Sequence, residues 1–305
     1  MVTVREISQH LQRIGPWVDW SGGTCDGLKF GDPDTPVTGI AVSWQSTQSS
    51  LEEAARKGCN LFITHEPTFY SHMDNDQAAL ALPAAQHKMS WLSENRMVVY
   101  RCHDVWDIYP RLGIVDAWSE FLELGQPSAQ AKYYNLHPVP CTTAWELALR
   151  IMHRVSALGE QAVQFQGVRW QMVHRLAVGT GAITDVRKMI EMGADVVLTT
   201  DDGMSYWNSG AFAADMGIPL IVVNHRMAEI PGLRRLAEYL QQQFPQVPVE
   251  FVGPTCSYEI TAVETSRETN LRMLLADLDH LPPLEMPVVT NVGLCVKMKH
   301  GHTLP

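Results

Sequence analysis

The chain lacks the sequence marks of several common site chemistries. It has no G-x-S-x-G nucleophile elbow and no G-K-[ST] phosphate loop. The full dinucleotide glycine pattern is also missing, so a nicotinamide cofactor is not supported. The six cysteines (Cys25, Cys59, Cys102, Cys141, Cys256 and Cys295) are scattered and form no C-x-x-C. They resemble neither a disulfide framework nor a zinc ribbon, and a reduced, cytoplasmic setting is expected. No apolar run approaches the roughly 18 residues of a membrane span. Met1 to Trp17 is a short amphipathic pattern (Val4, Ile7, Leu11, Ile14) without a signal-peptide core. Positive charge is scarce: 23 Lys and Arg against 33 Asp and Glu give a net charge of −10. That balance argues against non-specific nucleic-acid binding, which needs a basic face.

What is present is a histidine–carboxylate pattern that occurs twice, each time after an apolar run. Val98-Val99-Tyr100-Arg101-Cys102 leads to His103, with Asp107 four residues on. Leu220-Ile221-Val222-Val223-Asn224 leads to His225, with Glu229 four residues on. Each is preceded by a strand-like run ending in polar residues. These are Leu61 to Thr64 before His65-Glu66, and Val196 to Thr199 before Thr200-Asp201.

Further anchors recur in order. Ile40-Ala41-Val42 matches Leu176-Ala177-Val178, Lys57-Gly58-Cys59-Asn60 matches Met192-Gly193-Ala194-Asp195, and Thr64 matches Thr199. Strands alternate with helices throughout, which indicates βαβ units. The expected fold class is therefore α/β: two similar α/β lobes with mostly parallel sheets and a metal site between them. The expected boundaries are 1–125 for the first lobe, 126–174 for a connector and helix, 175–254 for the second lobe and 255–305 for a C-terminal extension. Within these, the spacing predicts helices over Ser49 to Lys57, Ser209 to Met216 and Ser266 to Leu278, a Pro-rich run from Leu281 to Met286, and a strand over Val247 to Val252. Pro231 to Phe244 is expected to be a helix with Pro231 in its first turn.

Taken singly, His65-Glu66 reads as a solvated loop pair and His103 as a satisfied core histidine. Convergence changes the reading. The carboxyl ends of parallel strands lie on one side of a sheet, where sites form. This places His65, Glu66, Asp107, His225 and Glu229 on comparable edges. Imidazole with carboxylate suits Zn, Fe, Mn, Ni or Co, and no thiolate lies among these residues. Asp107 rather than Asp104 is the expected ligand, because the repeat pairs Asp107 with Glu229. Glu229, near a helix start, would stay ionised and could bridge two metals. Gly179-Thr180-Gly181 is expected to open a helix, as a tight turn or as an anion site on its N–H groups. His300-Gly301-His302 in the tail is read as a fraying terminus.

The chain from about Thr24 to Glu259 resembles the Nif-three-like dinuclear metal-centre family, often named GTP cyclohydrolase I type 2. Asp26-Gly27-Leu28 with Gly31-Asp32-Pro33-Asp34 resembles its Asn-Val-Gly-Leu…Gly-Asp motif. Ile63-Thr64-His65-Glu66-Pro67 resembles its strand ending in Thr-His-His-Pro, and His103 to Asp107 its His-x-x-x-Asp. Asn224 to Gly232 resembles its Gly-His-x-x-x-Glu-x-x-Gly. The resemblance implies two divalent metal ions held by His65, Glu66, Asp107, His225 and Glu229, and a toroidal homohexamer with these sites facing an inner cavity. Two departures stand out. Glu66 replaces the usual second histidine, and an oxygen there moves preference toward Mn, Fe or Mg, or weakens the second site. Thr199-Thr200-Asp201-Asp202 and Trp207 stand where Thr-Gly-Asp and a nearby histidine are common.

The function expected from this is a metal-dependent hydrolase that activates water for a nucleotide or other small-molecule substrate, GTP cyclohydrolase-like or phosphoesterase-like. His103, Asp104 and Asp201 are the candidates for proton transfer. The alternative is a non-enzymatic metal-binding oligomeric adaptor or metal chaperone. Neither reading involves a membrane or nucleic acid.

Overall fold

Two sheets, each with a parallel core, carry the molecule. The structure, a computed structural model, describes residues 1–254. The expected tail helix, the Pro-rich run and the His300-Gly301-His302 segment lie outside the described residues. All described residues belong to one unit of the chain.

The first sheet holds β1 (Gly27–Phe30), β2 (Ile40–Ser43), β3 (Leu61–Thr64) and β4 (Val98–Arg101). The second holds β5 (Ala129–Ala131), β6 (Tyr134–Thr143), β7 (Gln164–Gln166), β8 (Met172–Gly179), β9 (Val196–Thr200) and β10 (Leu220–Val223). β11 (Val249–Phe251) returns to the first sheet, so the strand orders are β1-β4-β3-β2-β11 and β5-β6-β8-β9-β10-β7. β2, β3 and β4 pair in parallel, as do β8, β9 and β10. Antiparallel pairs occur only toward the sheet edges, where β1, β5, β6 and β7 join. The core strands are buried on both faces, which matches their unbroken apolar runs.

The sequence repeat is visible in this plan. β2-β3-β4 and β8-β9-β10 are equivalent trios, and His103 and His225 each stand two residues past the third strand. Gly58 and Gly193 end equivalent helices with φ of +79° and +98°, a backbone region only glycine enters at low cost.

Several boundaries differ from the sequence reading. Residues 126–174 are more than a connector and helix, because β5, β6 and β7 in that stretch pair into the second sheet. The 175–254 lobe gives its last strand, β11, to the first sheet. The predicted Ser209 to Met216 helix starts as a π-turn over Tyr206–Gly210 and continues as α-helix over Ala211–Asp215. Ala129–Ala131 is too short for a periodic signal, and Pro138 and Pro140 interrupt the pattern of Tyr134–Thr143, whereas β7 overlaps a strand expected at Val163 to Phe165.

The largest correction concerns the last helix. It runs from His225 to Gln243, with Pro231 in its interior rather than its first turn. Proline lacks the N–H that would bond four residues back, but the apolar face overrides this local cost. Ala228 packs with Ile221 and Val223 of the second sheet. Leu233, Leu236, Ala237 and Leu240 pack with Ile40, Val42, Leu61 and Ile63 of the first. The helix thus starts at the carboxyl end of one sheet and is buried against the other.

Candidate metal centre

Strand ends from both sheets deliver the candidate residues to one place. His65 and Glu66 follow β3, and their N–H groups donate to carbonyls at the end of β2: His65 to Trp44 at 3.2 Å, Glu66 to Trp44 at 2.8 Å. His103 caps the short helix Asp104–Asp107 after β4, and Asp107 ends it. His225 and Glu229 lie one turn apart on the last helix, so their side chains share a face. All five expected ligands (His65, Glu66, Asp107, His225 and Glu229) meet, and His103 meets them.

His65 is fully buried. Its Nδ1 lies 3.1 Å from the Cys102 carbonyl, which can only accept, so Nδ1 carries hydrogen. Its Nε2 therefore faces the centre, 3.3 Å from Asp107 Oδ1 and 3.5 Å from Glu229 Oε2. His225 repeats the arrangement. Its Nδ1 lies 2.9 Å from Asp202 Oδ2, and its Nε2 lies 3.0 Å from Glu229 Oε1 and 3.4 Å from Glu66 Oε1. Both Nε2 atoms are buried without a hydrogen-bond partner. A ring nitrogen held through its opposite N–H and left open at the other is the usual posture of a metal-ligating histidine.

Glu229 stands between them. One oxygen faces His225, and the other faces His65 and accepts from Trp44 Nε1 at 2.7 Å. His103 stacks on His65 with ring centroids 4.4 Å apart. Its Nδ1 lies 3.0 Å from Asp104 Oδ1 and 3.2 Å from Asp107 Oδ2. Donor atoms of His65, His103 and Asp107 fall within 4.8 Å of one another, as do those of His65, Glu66 and Glu229.

Burial and the facing carboxylates set the electrostatics of these groups. Burial disfavours charge on His65, but Glu229 and Asp107 outweigh it and raise its pKa to about 10. Burial likewise opposes charge on His225, and Glu229 and Asp202 raise it to about 11. Burial would lift Glu229, yet the two histidines hold it well below the usual carboxylate range. Buried imidazoles and carboxylates that compensate one another's charge form a donor set that fits a divalent metal. Gly181 leaves the needed room: a Cβ there would lie 3.0 Å from Glu229 Oε1 and 3.5 Å from His225 Nε2.

The residues expected to transfer protons are differently employed. Asp104 accepts from Thr24 Oγ1 at 2.6 Å through one oxygen and faces His103 through the other. Asp201 accepts from the His225 N–H at 2.8 Å and from Asn224 Nδ2 at 2.9 Å, holding the start of the last helix. The dipole reading of Glu229 changes as well, since Glu229 sits in the second turn and His225 in the first. Gly179-Thr180-Gly181 does not open a helix. The next helix, Val186–Glu191, is capped by the Asp185 side chain, which occupies the N–H groups an anion would need.

Residues not read from the sequence as ligands or proton carriers complete the surroundings. Trp44, Asp202 and the Cys102 carbonyl orient the imidazoles and Glu229. Asp26 accepts from the N–H groups of His103, Asp104 and Val105 at 2.5, 2.9 and 2.9 Å. Arg101 is buried beside Glu66. Its signal was legible as a charge closing an otherwise apolar strand. Asp202 is marked in the sequence only as part of a motif departure, and Trp44, in another segment, carries no signal.

The sequence profile of the Duf34/NIF3 family (NGG1p interacting factor 3) matches residues 2–256, and the chain belongs to that family. A relative from Deinococcus radiodurans, named GTP cyclohydrolase 1 type 2 homolog, is 25% identical over 257 residues, covering 82% of this chain and 91% of its own. The crystal structure of the Staphylococcus aureus hypothetical protein SA1388 is similar with a TM-score of 0.68 at 18% identity, covering 86% of this chain and 99% of that one. A Bacillus cereus protein related to NIF3 gives the same TM-score of 0.68 at 14% identity, again covering 86% and 99%. These structures bear out the two-sheet α/β fold.

Proposed function

We propose that the chain is a metal-dependent hydrolase with a dinuclear centre. His65 and Asp107, with His103 beside them, would hold one ion. His225 and Glu66 would hold the other, and Glu229 would bridge. The observation that carries this is the pair of buried, unpartnered Nε2 atoms on either side of one carboxylate. Bound divalent ions would bring the pKa of water toward neutrality and offset developing negative charge.

The chain's own residues supply orientation and proton handling. Asp104 and Asp201 are committed to holding other groups. His103, with a side chain 15% exposed, is the least buried of the three imidazoles and stands between Asp107 and Asp104. It is the residue placed to move a proton at Nδ1. A cavity of about 300 Å³ opens on Asp107 and is lined by Tyr109, Gln130, Lys132 and Asn135. Asp116 also lines it and accepts from the Gln130 and Asn135 amides at 3.4 and 3.0 Å, so the lining, with Lys132 as its one cation, does not select a phosphate, and a nucleotide or phosphoester substrate is the class we propose from the relatives' shared name. The name shared by the curated relatives favours a GTP cyclohydrolase-like reaction within that class. We also propose assembly as a homohexamer with the centres facing inward, which sedimentation or light scattering would check. Among the described residues no helix is long and apolar enough to cross a membrane.

One observation favours the adaptor or metal-chaperone reading: the donors are deeply enclosed, with His65 at 0%, Glu229 at 2%, His225 at 5% and Asp107 at 6% exposure. A single experiment separates the two. Metal is counted in untagged wild type and in His65→Ala/His225→Ala, and both are screened on nucleotides and phosphoesters with and without chelator. About two ions per chain with metal-dependent turnover, both lost in the variant, support the hydrolase. Ions without any turnover favour the adaptor, and no ions refute the centre.

A further inference from the structure

Arg101 ends β4 and is fully buried. A guanidinium in that position is unfavourable unless its donors and its charge find partners. Its Nε donates to the His65 carbonyl at 2.7 Å, and its Nη1 donates to the His72 carbonyl. These two bonds pin the loop that carries His65 and Glu66. Carbonyls satisfy donors but do not neutralise charge. Among the described residues, the carboxylate within ion-pair reach is Glu66, whose Oε2 lies 3.7 Å from Nη2. The other oxygen of Glu66, Oε1, lies 3.4 Å from His225 Nε2, the buried atom without a hydrogen bond. Glu66 is therefore strung between a permanent cation on one side and the centre on the other.

We propose that Arg101 is a positioning residue that holds Glu66 as a one-oxygen, half-neutralised ligand on the His225 side, and thereby shifts that position toward hard cations such as Mn²⁺ over Zn²⁺. This rests on the dinuclear reading above. An oxygen donor in place of an imidazole nitrogen favours the harder ion. The guanidinium occupies the second oxygen, so Glu66 presents a single donor rather than a chelating pair. A neutral imidazole at position 66 would strand the Arg101 charge in the core, so the two residues form a matched pair.

The test uses chelator-stripped full-length protein in four forms: wild type, Glu66→His, Arg101→Met and the double variant. Arg101→Lys serves as the conservative control. Melting temperatures form a double-mutant cycle. Each single substitution is expected to lower the melting temperature, and the double to recover at least half of the summed loss. Competitive titration with Mn²⁺ and Zn²⁺ is the second readout, and a merely structural role would not move it. The Zn²⁺-to-Mn²⁺ affinity ratio is expected to rise at least tenfold in the double variant and to stay within about threefold of wild type in Arg101→Lys. Additive melting losses, or an unchanged ratio in the double variant, would overturn the proposal. If wild type binds one ion per chain, the dinuclear reading fails on its own, while the cycle and the ratio still decide for or against Arg101.

Discussion

Gly232→Ala tests how the last helix is held in register with the centre. In an isolated helix this change should stabilise by about 1 kcal/mol. Here the residue faces the helix Ile114–Phe121 at close range. A Cβ at Gly232 would lie 2.7 Å from Ile114 Cδ1 and 2.8 Å from Ile114 Cα. The side-chain contact can yield, but the backbone contact requires one helix to move. Overpacking of this kind costs about 1–3 kcal/mol, and a backbone clash belongs at the upper end. Setting roughly 3 against the gain of about 1 leaves a net loss near 2 kcal/mol. For a domain of roughly 150–250 residues that lowers the melting temperature by about 4–8 °C. The Gly232 carbonyl also accepts from Trp106 Nε1 at 2.7 Å, so movement disturbs the short helix bearing Asp107 as well. The assay is thermal unfolding of chelator-treated protein, which removes the linked stabilisation by bound ions, followed by metal counting on untreated protein. The variant should melt lower and hold less metal. Ile114→Ala should not rescue it, since the 2.8 Å contact to Ile114 Cα is backbone and remains. A melting temperature that rises in Gly232→Ala would refute the close-approach reasoning.

Glu229→Gln should strip more metal than Glu66→Gln, because Glu229 faces both histidines while Glu66 faces one; equal losses by elemental analysis would argue against a bridging carboxylate. His103→Ala separates ligand from proton carrier: retained ions with turnover reduced by the roughly 10²–10⁴-fold of a lost acid–base group fit the proposed role, whereas loss of an ion assigns His103 to the donor set. Lys88 offers a pH test away from the centre. It is buried, donates to the Thr68 carbonyl at 2.7 Å, and burial lowers its pKa from 10.5 to about 8. Between those values the unfolded chain binds more protons, so this group's contribution to stability rises with pH. The cost of about 3 kcal/mol present at neutral pH should fade from pH 8 upward. Wild type should therefore gain on Lys88→Met in urea unfolding between pH 8 and 10, and a pH-independent difference would sink the assignment.

The parallel cores were legible in the sequence because buried parallel strands are continuous apolar runs, such as Leu61 to Ile63 and Leu220 to Val223. The five expected ligands were legible because His and carboxylate recur at the ends of those runs. What stayed hidden follows from the same physics. β5 is a three-residue edge strand, too short for a periodic signal although it pairs with the adjoining β6, and β6 itself is interrupted by Pro138 and Pro140. Pro231 suggested a helix start, whereas burial of Ala228, Leu233 and Leu236 carries the helix through it. Asp202 and Trp44 act on His225 and Glu229 from the turns that follow β9 and β2, and no local spacing pairs them with those residues.

Duplication explains why the candidate donors come from both halves. Each trio of parallel strands supplies one imidazole two residues past its third strand, His103 in the first and His225 in the second. If the halves were equivalent in use, each would close its own site. They do not, because Glu66 reaches His225 and Glu229 reaches His65. The crossing is enforced by one element, the helix His225–Gln243, whose first turns carry the second half's candidate donors and whose remainder is buried in the first half's core. Separating the sheets would remove Leu233, Leu236 and Leu240 from that core at about 1.5–3 kcal/mol each. Folding of the first sheet and the gathering of the candidate donors are therefore expected to be one cooperative event. Metal binding should accordingly raise the stability of the whole described unit, and a melt showing metal-sensitive and metal-insensitive transitions within it would contradict that coupling.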